Sequence, residues 1–161
     1  MKKHIFGILL AATMFAACAT QQEKDERRAR VSAAVGEAVN SRHLRIEVNE
    51  MSTQRYGTRM VSPEFYVELR GDTLMSYLPY MGQVHKAPFS SPPIGLNFET
   101  VATNWAVTQP KRHMTRMDLD AKTIDDRHHY SIEIFETGKA YIHVLSQYRD
   151  AISFWGEMVL P

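Results

Sequence analysis

The chain has 161 residues, 44% hydrophobic and 23% charged, which fits one folded domain and excludes a disordered chain. Its 19 Lys and Arg against 18 Asp and Glu leave a net charge of +1, without the basic excess that a nucleic-acid-binding surface needs. A single cysteine excludes an internal disulfide and a Cys-based zinc cluster.

The chain opens with the basic stretch Met1-Lys2-Lys3-His4, and Ile5 to Ala17 is almost wholly apolar. That run is too short to cross a hydrocarbon core, which needs about 20 residues in a helix. Behind a basic start it reads as the apolar region of a secretory signal peptide. It ends Phe15-Ala16-Ala17-Cys18, which resembles a bacterial lipobox, with Phe15 in place of the usual leucine. The expectation is that residues 1–17 are a lipoprotein signal peptide and that Cys18 is acylated. A plain signal peptide leaving a free thiol is the alternative. Acylation would hold the protein in the cell envelope, on the outer membrane, facing either the periplasm or the exterior.

Residues 18–42 read as a helical tether. Thr20 and Glu23 fit a capping box, and Val31, Val35, Ala38 and Val39 recur at helical spacing as one narrow apolar stripe. Packing is expected only from about Val31, with Asn40 and Ser41 as stops.

From residue 43 to 161 the apolar period is two. His43 to Val48 alternates polar and apolar, as a half-buried strand does. Phe65, Val67 and Leu69 alternate toward Gly71-Asp72, a two-residue hairpin signal. Pairing Arg70 with Thr73 places Leu69 opposite Leu74 and Val67 opposite Ser76, keeping nearly all apolar residues on one face. The Arg70-Gly71-Asp72 tripeptide within it is sufficiently explained by the turn. A second hairpin surrounds Glu136-Thr137-Gly138. A three-residue loop with Gly138 left-handed collects Tyr130, Ile132, Ile134, Ala140, Ile142 and Val144 on one face. The opposite face holds His129, Ser131, Glu133, Tyr141 and His143. Further strands are expected at Asn104–Thr108, His113–Leu119 and Ile152–Val159, with turns at Pro110 and Asp125-Asp126. Pro88 to Gly95 carries three prolines and reads as an ordered loop or a lid. The fold class is mainly β, an antiparallel β-sandwich or open β-barrel with one N-terminal α-helix.

The block Gly71 to Gly82, with Ala87-Pro88-Phe89, Gly95-Leu96-Asn97-Phe98 and the ending Arg149-Asp150-Ala151-Ile152-Ser153-Phe154-Trp155-Gly156, resembles a Bacteroidota family catalogued as domain of unknown function 4251. The likeness runs from about Leu44 to the C-terminus. It implies a predominantly β, secreted or lipid-anchored domain and brings no catalytic residues with it.

No Gly-x-Ser-x-Gly, Gly-rich phosphate loop or His-Glu-x-x-His occurs. Asp118-Leu119-Asp120 opens like a calcium loop, but Lys122 and the missing glycine break the pattern. His143 lies diagonal to His129 and Glu133 in the chosen register, making these three weak metal candidates. Tyr77, Tyr80, Met81 and Phe89, beside the Pro-rich loop, are the candidate lining of an apolar ligand pocket. Trp105 and Trp155 read as core or strand-packing aromatics, with a carbohydrate-stacking platform as the alternative. The first functional reading is a membrane-anchored, non-enzymatic binding domain for a small apolar ligand or a protein partner, without cofactor. Its alternative is a structural or assembly component of the envelope, with a hydrolase third. A carrier needs an enclosed cavity of a few hundred Å³, whereas an assembly protein needs a filled core.

Overall fold

The computed structural model describes the backbone of residues 2–86 and 95–160, and the side chains of residues 21–86 and 95–160. One helix, α1 (Lys2–Ser41), precedes nine strands. These are β1 (His43–Thr53), β2 (Gly57–Met60), β3 (Tyr66–Arg70), β4 (Thr73–Leu78), β5 (Leu96–Lys111), β6 (Met114–Lys122), β7 (Arg127–Phe135), β8 (Lys139–Ser146) and β9 (Ile152–Met158). All pairings are antiparallel, in the order β2-β1-β3-β4-β5-β6-β7-β8-β9, and β1 also pairs with β9. That last pairing closes eight strands into a barrel, with β2 as an extra strand, which decides between sandwich and barrel. Among the described residues no helix is long and apolar enough to cross a membrane.

Both hairpins take the registers that the apolar pattern requires. Leu69 faces Leu74 and Val67 faces Ser76, with Gly71 at φ 62° in the turn. In the second, Ile134 faces Ala140 and Ser131 faces His143, with Gly138 at φ 85°. The charged side chains of Arg70-Gly71-Asp72 are both engaged: Arg70 Nε lies 2.6 Å from Glu68, and Asp72 pairs with Arg42.

Three elements differ from the sequence expectation. β1 runs on to Thr53, because a bulge between Val48 and Glu50 inserts one residue and resets the alternation. Leu44, Ile46 and Val48 point inward before it, and Met51 and Thr53 after it. β2 is exposed along its whole length, so no apolar pattern marks it. Pro110 ends no strand: β5 continues to Lys111, and the turn falls at Arg112-His113, with His113 at φ 65°. The proline sits at a register shift between Thr108 and Lys111, a position where a missing N–H is tolerated. The strand also starts eight residues earlier than expected, at Leu96 instead of Asn104. Asn104 itself adopts φ 54° beside a second bulge, between Thr103 and Ala106.

The barrel interior is packed with side chains. Ile46, Val67, Leu74, Met117, Leu119, Ile132, Ile142, Val144 and Phe154 are fully buried, as the bore of an eight-stranded barrel allows. Tyr130 stands among them, and its hydroxyl donates to Ser76 Oγ at 2.9 Å. Ser76 in turn donates to the Leu96 carbonyl at 2.7 Å, so a short polar chain crosses the core with its hydrogens satisfied. Burial pushes the Tyr130 phenol well above its ordinary pKa. Helix α1 covers one barrel end: Gln21 to Arg30 are exposed, while Val35 and Val39 join the core. Packing begins at Val31, which lies against Gly138.

Closure brings β9 unusually near β1. A Cβ on Gly156 would lie 3.0 Å from the Glu47 carbonyl carbon, 3.1 Å from Val48 Cα and closer still to the Glu47 oxygen. The obstruction is backbone and cannot swing aside. Gly156→Ala is therefore expected to destabilise the fold by at least the roughly 1–3 kcal/mol typical of overpacking. Urea denaturation of the variant against wild type checks this, and an unchanged midpoint refutes it.

Candidate functional site

The mouth of the barrel lies at the end opposite α1. After Leu78 the chain turns over this end and hooks onto the turn between β8 and β9. Val84 bridges Arg149, His85 N donates to Tyr148 O at 2.7 Å, and Asp150 N donates to Gln83 O at 3.1 Å. The Asp150 carboxylate accepts from Gln83 N at 3.0 Å and meets His85 Nε2 at 2.9 Å. The Gln83 N–H first, and His85 second, hold the Asp150 pKa below the usual carboxylate range. Tyr80 donates to Gln83 O at 2.8 Å, and its half-buried ring raises its pKa chiefly through lost hydration. Met81 packs against the core beside it.

Beneath this strap lies a buried ion pair. Arg149 Nε sits 3.5 Å from Asp126 Oδ2, with side chains 9% and 3% exposed. Asp126 Oδ1 accepts from the backbone N–H groups of Arg127 at 2.8 Å, Gln147 at 3.1 Å and Tyr148 at 3.3 Å. Arg149 Nη1 donates to the Gly95 carbonyl at 3.1 Å, and its guanidinium lies 5.3 Å from the Tyr80 ring centre. The pair thus ties together the 123–126 turn, the 147–151 turn and the start of β5. His128, the first inward residue of β7, stacks on Phe98 at 5.0 Å and 10°, with its Nδ1 2.8 Å from Ser146 Oγ. Burial lowers its pKa to about 4; nearby Arg149 adds to this and Asp126 opposes it. A cavity of about 190 Å³ opens beside these groups, lined in part by Phe98, Ile124, His128 and Arg149.

The expected pocket lining is divided by this geometry. Tyr80 and Met81 are at the mouth, but Tyr77 points outward from β4, 38% exposed. There it stacks on Phe65 at 5.5 Å and lies 5.9 Å from Tyr66. Arg45 sits 3.7 Å over the Tyr66 ring and pairs with Glu68 at 3.1 Å. Phe89 lies outside the described residues, and Cys18 outside those whose side chains are described. The larger concavities, about 580 and 650 Å³, are open grooves flanking α1 and are lined by residues such as Ala34, Leu44 and Met158, and Val31, Phe135 and Leu160.

The metal candidates do not converge, although their backbones hold the expected register. His129 Nδ1 meets Asp120 at 2.7 Å, Glu133 pairs with Arg116, and His143 Nδ1 meets Ser153 Oγ at 2.8 Å. Asn104 and His129 together lower the Asp120 pKa. Among the described residues no three His, Cys, Asp or Glu groups are placed to share an ion. Trp105 is partly buried against the core, whereas Trp155 is 41% exposed on the wall. Sequence reasoning missed Arg149, Asp126 and His128. Asp126 was visible only as a turn residue, and nothing local marks its partner 23 positions away.

Together these features define a small closed antiparallel barrel with a packed bore, a helix across one end and a buried ion pair bracing the other. A family model described as domain of unknown function (DUF4251) matches residues 26–158, and the chain belongs to that family. It is similar in fold to a DUF4251 family protein from Bacteroides eggerthii DSM 20697, solved by crystallography at 1.95 Å. The two share 10% identity over 81% of this chain and 87% of that one, with a TM-score of 0.63. No curated protein matches the chain.

Two outcomes follow from the mouth. Below pH 6.5 unfolded His128 takes up a proton, whereas in the folded chain uptake waits until about pH 4. Stability contributed by the neutral imidazole is therefore lost as pH falls through that window, by an amount on the order of 3 kcal/mol. His128→Phe should flatten this part of the stability-versus-pH curve, and an unaltered slope counts against the assignment. Arg149→Leu leaves Asp126 buried with an uncompensated charge, so a loss of about 3–5 kcal/mol is expected in thermal or denaturant unfolding.

Proposed function

We propose that this protein is a lipid-anchored domain of the cell envelope, held to the outer membrane through acylated Cys18, and that it binds a protein partner without catalysing a reaction. The observation that carries the reading is the packed bore: large side chains fill the barrel where a carrier of apolar ligands would need a cavity. The recognition surface is then the outer wall around Tyr77, Tyr66, Phe65 and Arg45. Tyrosine and arginine are the residue types that dominate binding energy at protein interfaces, because each offers a large apolar face and a polar tip. Pairing through a strand edge fits less well. The outer half of β5 lacks a second strand neighbour among the described residues, but two bulges and Pro110 interrupt it.

Native mass spectrometry of the full chain purified gently from its own envelope tests this reading. The expected spectrum contains a stoichiometric second polypeptide, lost from the Tyr77→Ala, Arg45→Ala double variant while its melting temperature stays near wild type. A small-molecule adduct released on denaturation, with no second chain, would restore the carrier reading in its place.

A further inference from the structure

Farther round the wall, β8 and β9 turn a second aromatic pair outward. Trp155 and Tyr141 are cross-strand partners, their rings 4.8 Å apart and inclined at 50°. The adjoining row of outward positions is built of hydroxyl and imidazole groups. Ser131 faces His143, His143 faces Ser153, Ser153 faces Ser52 and Ser52 faces Thr58. The row is already knitted together. Tyr141 OH donates to Ser153 Oγ at 2.9 Å, Ser153 Oγ lies 2.8 Å from His143 Nδ1, and Thr58 Oγ1 donates to Ser52 Oγ at 3.2 Å. Tyr141 OH and His143 Nδ1 thus both hydrogen-bond the Ser153 hydroxyl, whose oxygen can accept from the imidazole or donate to it.

We propose that this face, Trp155 and Tyr141 with His143, Ser153 and Ser52, binds a saccharide. A pyranose presents a flat face of C–H groups and a rim of hydroxyls. The C–H face suits the electron-rich face of an indole or phenol ring. Successive outward rows on a strand are about 7 Å apart, and neighbouring strands about 4.8 Å. A sugar ring stacked on Trp155 therefore brings its rim over the Ser153–His143–Ser52 row. A protein partner suits this row less, since serine is depleted at protein interface cores. Trp155 is free to act because alternation along β9 sends Phe154 and Gly156 into the barrel and leaves the indole outside.

Isothermal titration of the full chain in detergent micelles with cellohexaose, mannohexaose and chitohexaose tests the proposal. At least one should give saturable heat. Trp155→Leu should then weaken binding about tenfold or more, the equivalent of about 1.4 kcal/mol of lost stacking. Tyr141→Phe, which keeps the ring but releases Ser153, should weaken it several-fold, whereas Trp105→Phe should leave it unchanged. Melting curves of each variant separate lost binding from lost folding. Absence of saturable heat with all three sugars overturns the proposal. So does binding that survives Trp155→Leu unchanged in a folded variant.

Discussion

The structure depends on the approach of the β9 backbone to the β1 backbone at Gly156 and Glu47, where there is no room for a side chain. β1 pairs with β3 and β2 along one edge and with β9 along the other. Only this contact turns an open meander into a closed surface without free edges around most of its circumference. The bulge after Val48 lets β1 bend into closure while keeping both of its halves in phase with the core. Once eight strands are closed, bore and strand number are linked, and the available width is filled by side chains. Tyr130 is the extreme case. It is wholly buried, and Ser76 and the Leu96 carbonyl relay its hydroxyl to the backbone.

The two barrel ends meet the same demand by different physics. At one end α1 lays Val35 and Val39 on the core, so closure there is apolar and non-directional. At the other the Asp126–Arg149 pair and its backbone hydrogen bonds hold three chain segments in fixed relation. A buried ion pair of this kind adds little net stability over an apolar substitute, but it tolerates only one arrangement of its loops. That directional demand also sets the surroundings of His128, kept neutral between Phe98 and Ser146. With the bore filled by side chains, the exposed aromatic pairs stand on the wall. There strand alternation presents Tyr77 with Tyr66 on one side and Trp155 with Tyr141 on another.

Much of this was legible in the amino-acid order where the signal is local. The strand faces of both hairpins, their registers and the left-handed Gly138 follow from a period of two interrupted by turn residues, since a one-residue slip would expose the apolar set. The onset of helix packing at Val31 followed from the narrow stripe beginning there. Legibility failed where parity breaks or disappears. The bulge in β1 hid its second half, the short and wholly exposed β2 carried no pattern, and Pro110 resembled a terminator although it lies at a register shift. Tyr77 and Tyr80, close in sequence, were expected to line one pocket. Strand alternation and the turn after Leu78 send them to different surfaces.

By itself the sequence determined the two hairpins, their faces and their registers, because these rest on neighbours within a few residues of one another, and its longer blocks carried the family likeness. The tertiary structure decided the rest: closure into a barrel, the packed bore, the Asp126–Arg149 brace and the joining of Trp155 and Tyr141 to a row of hydroxyls. Each of these depends on which strands lie side by side. Strand order is set by the whole sheet's demand to bury one face and satisfy its edges, which no local pattern encodes.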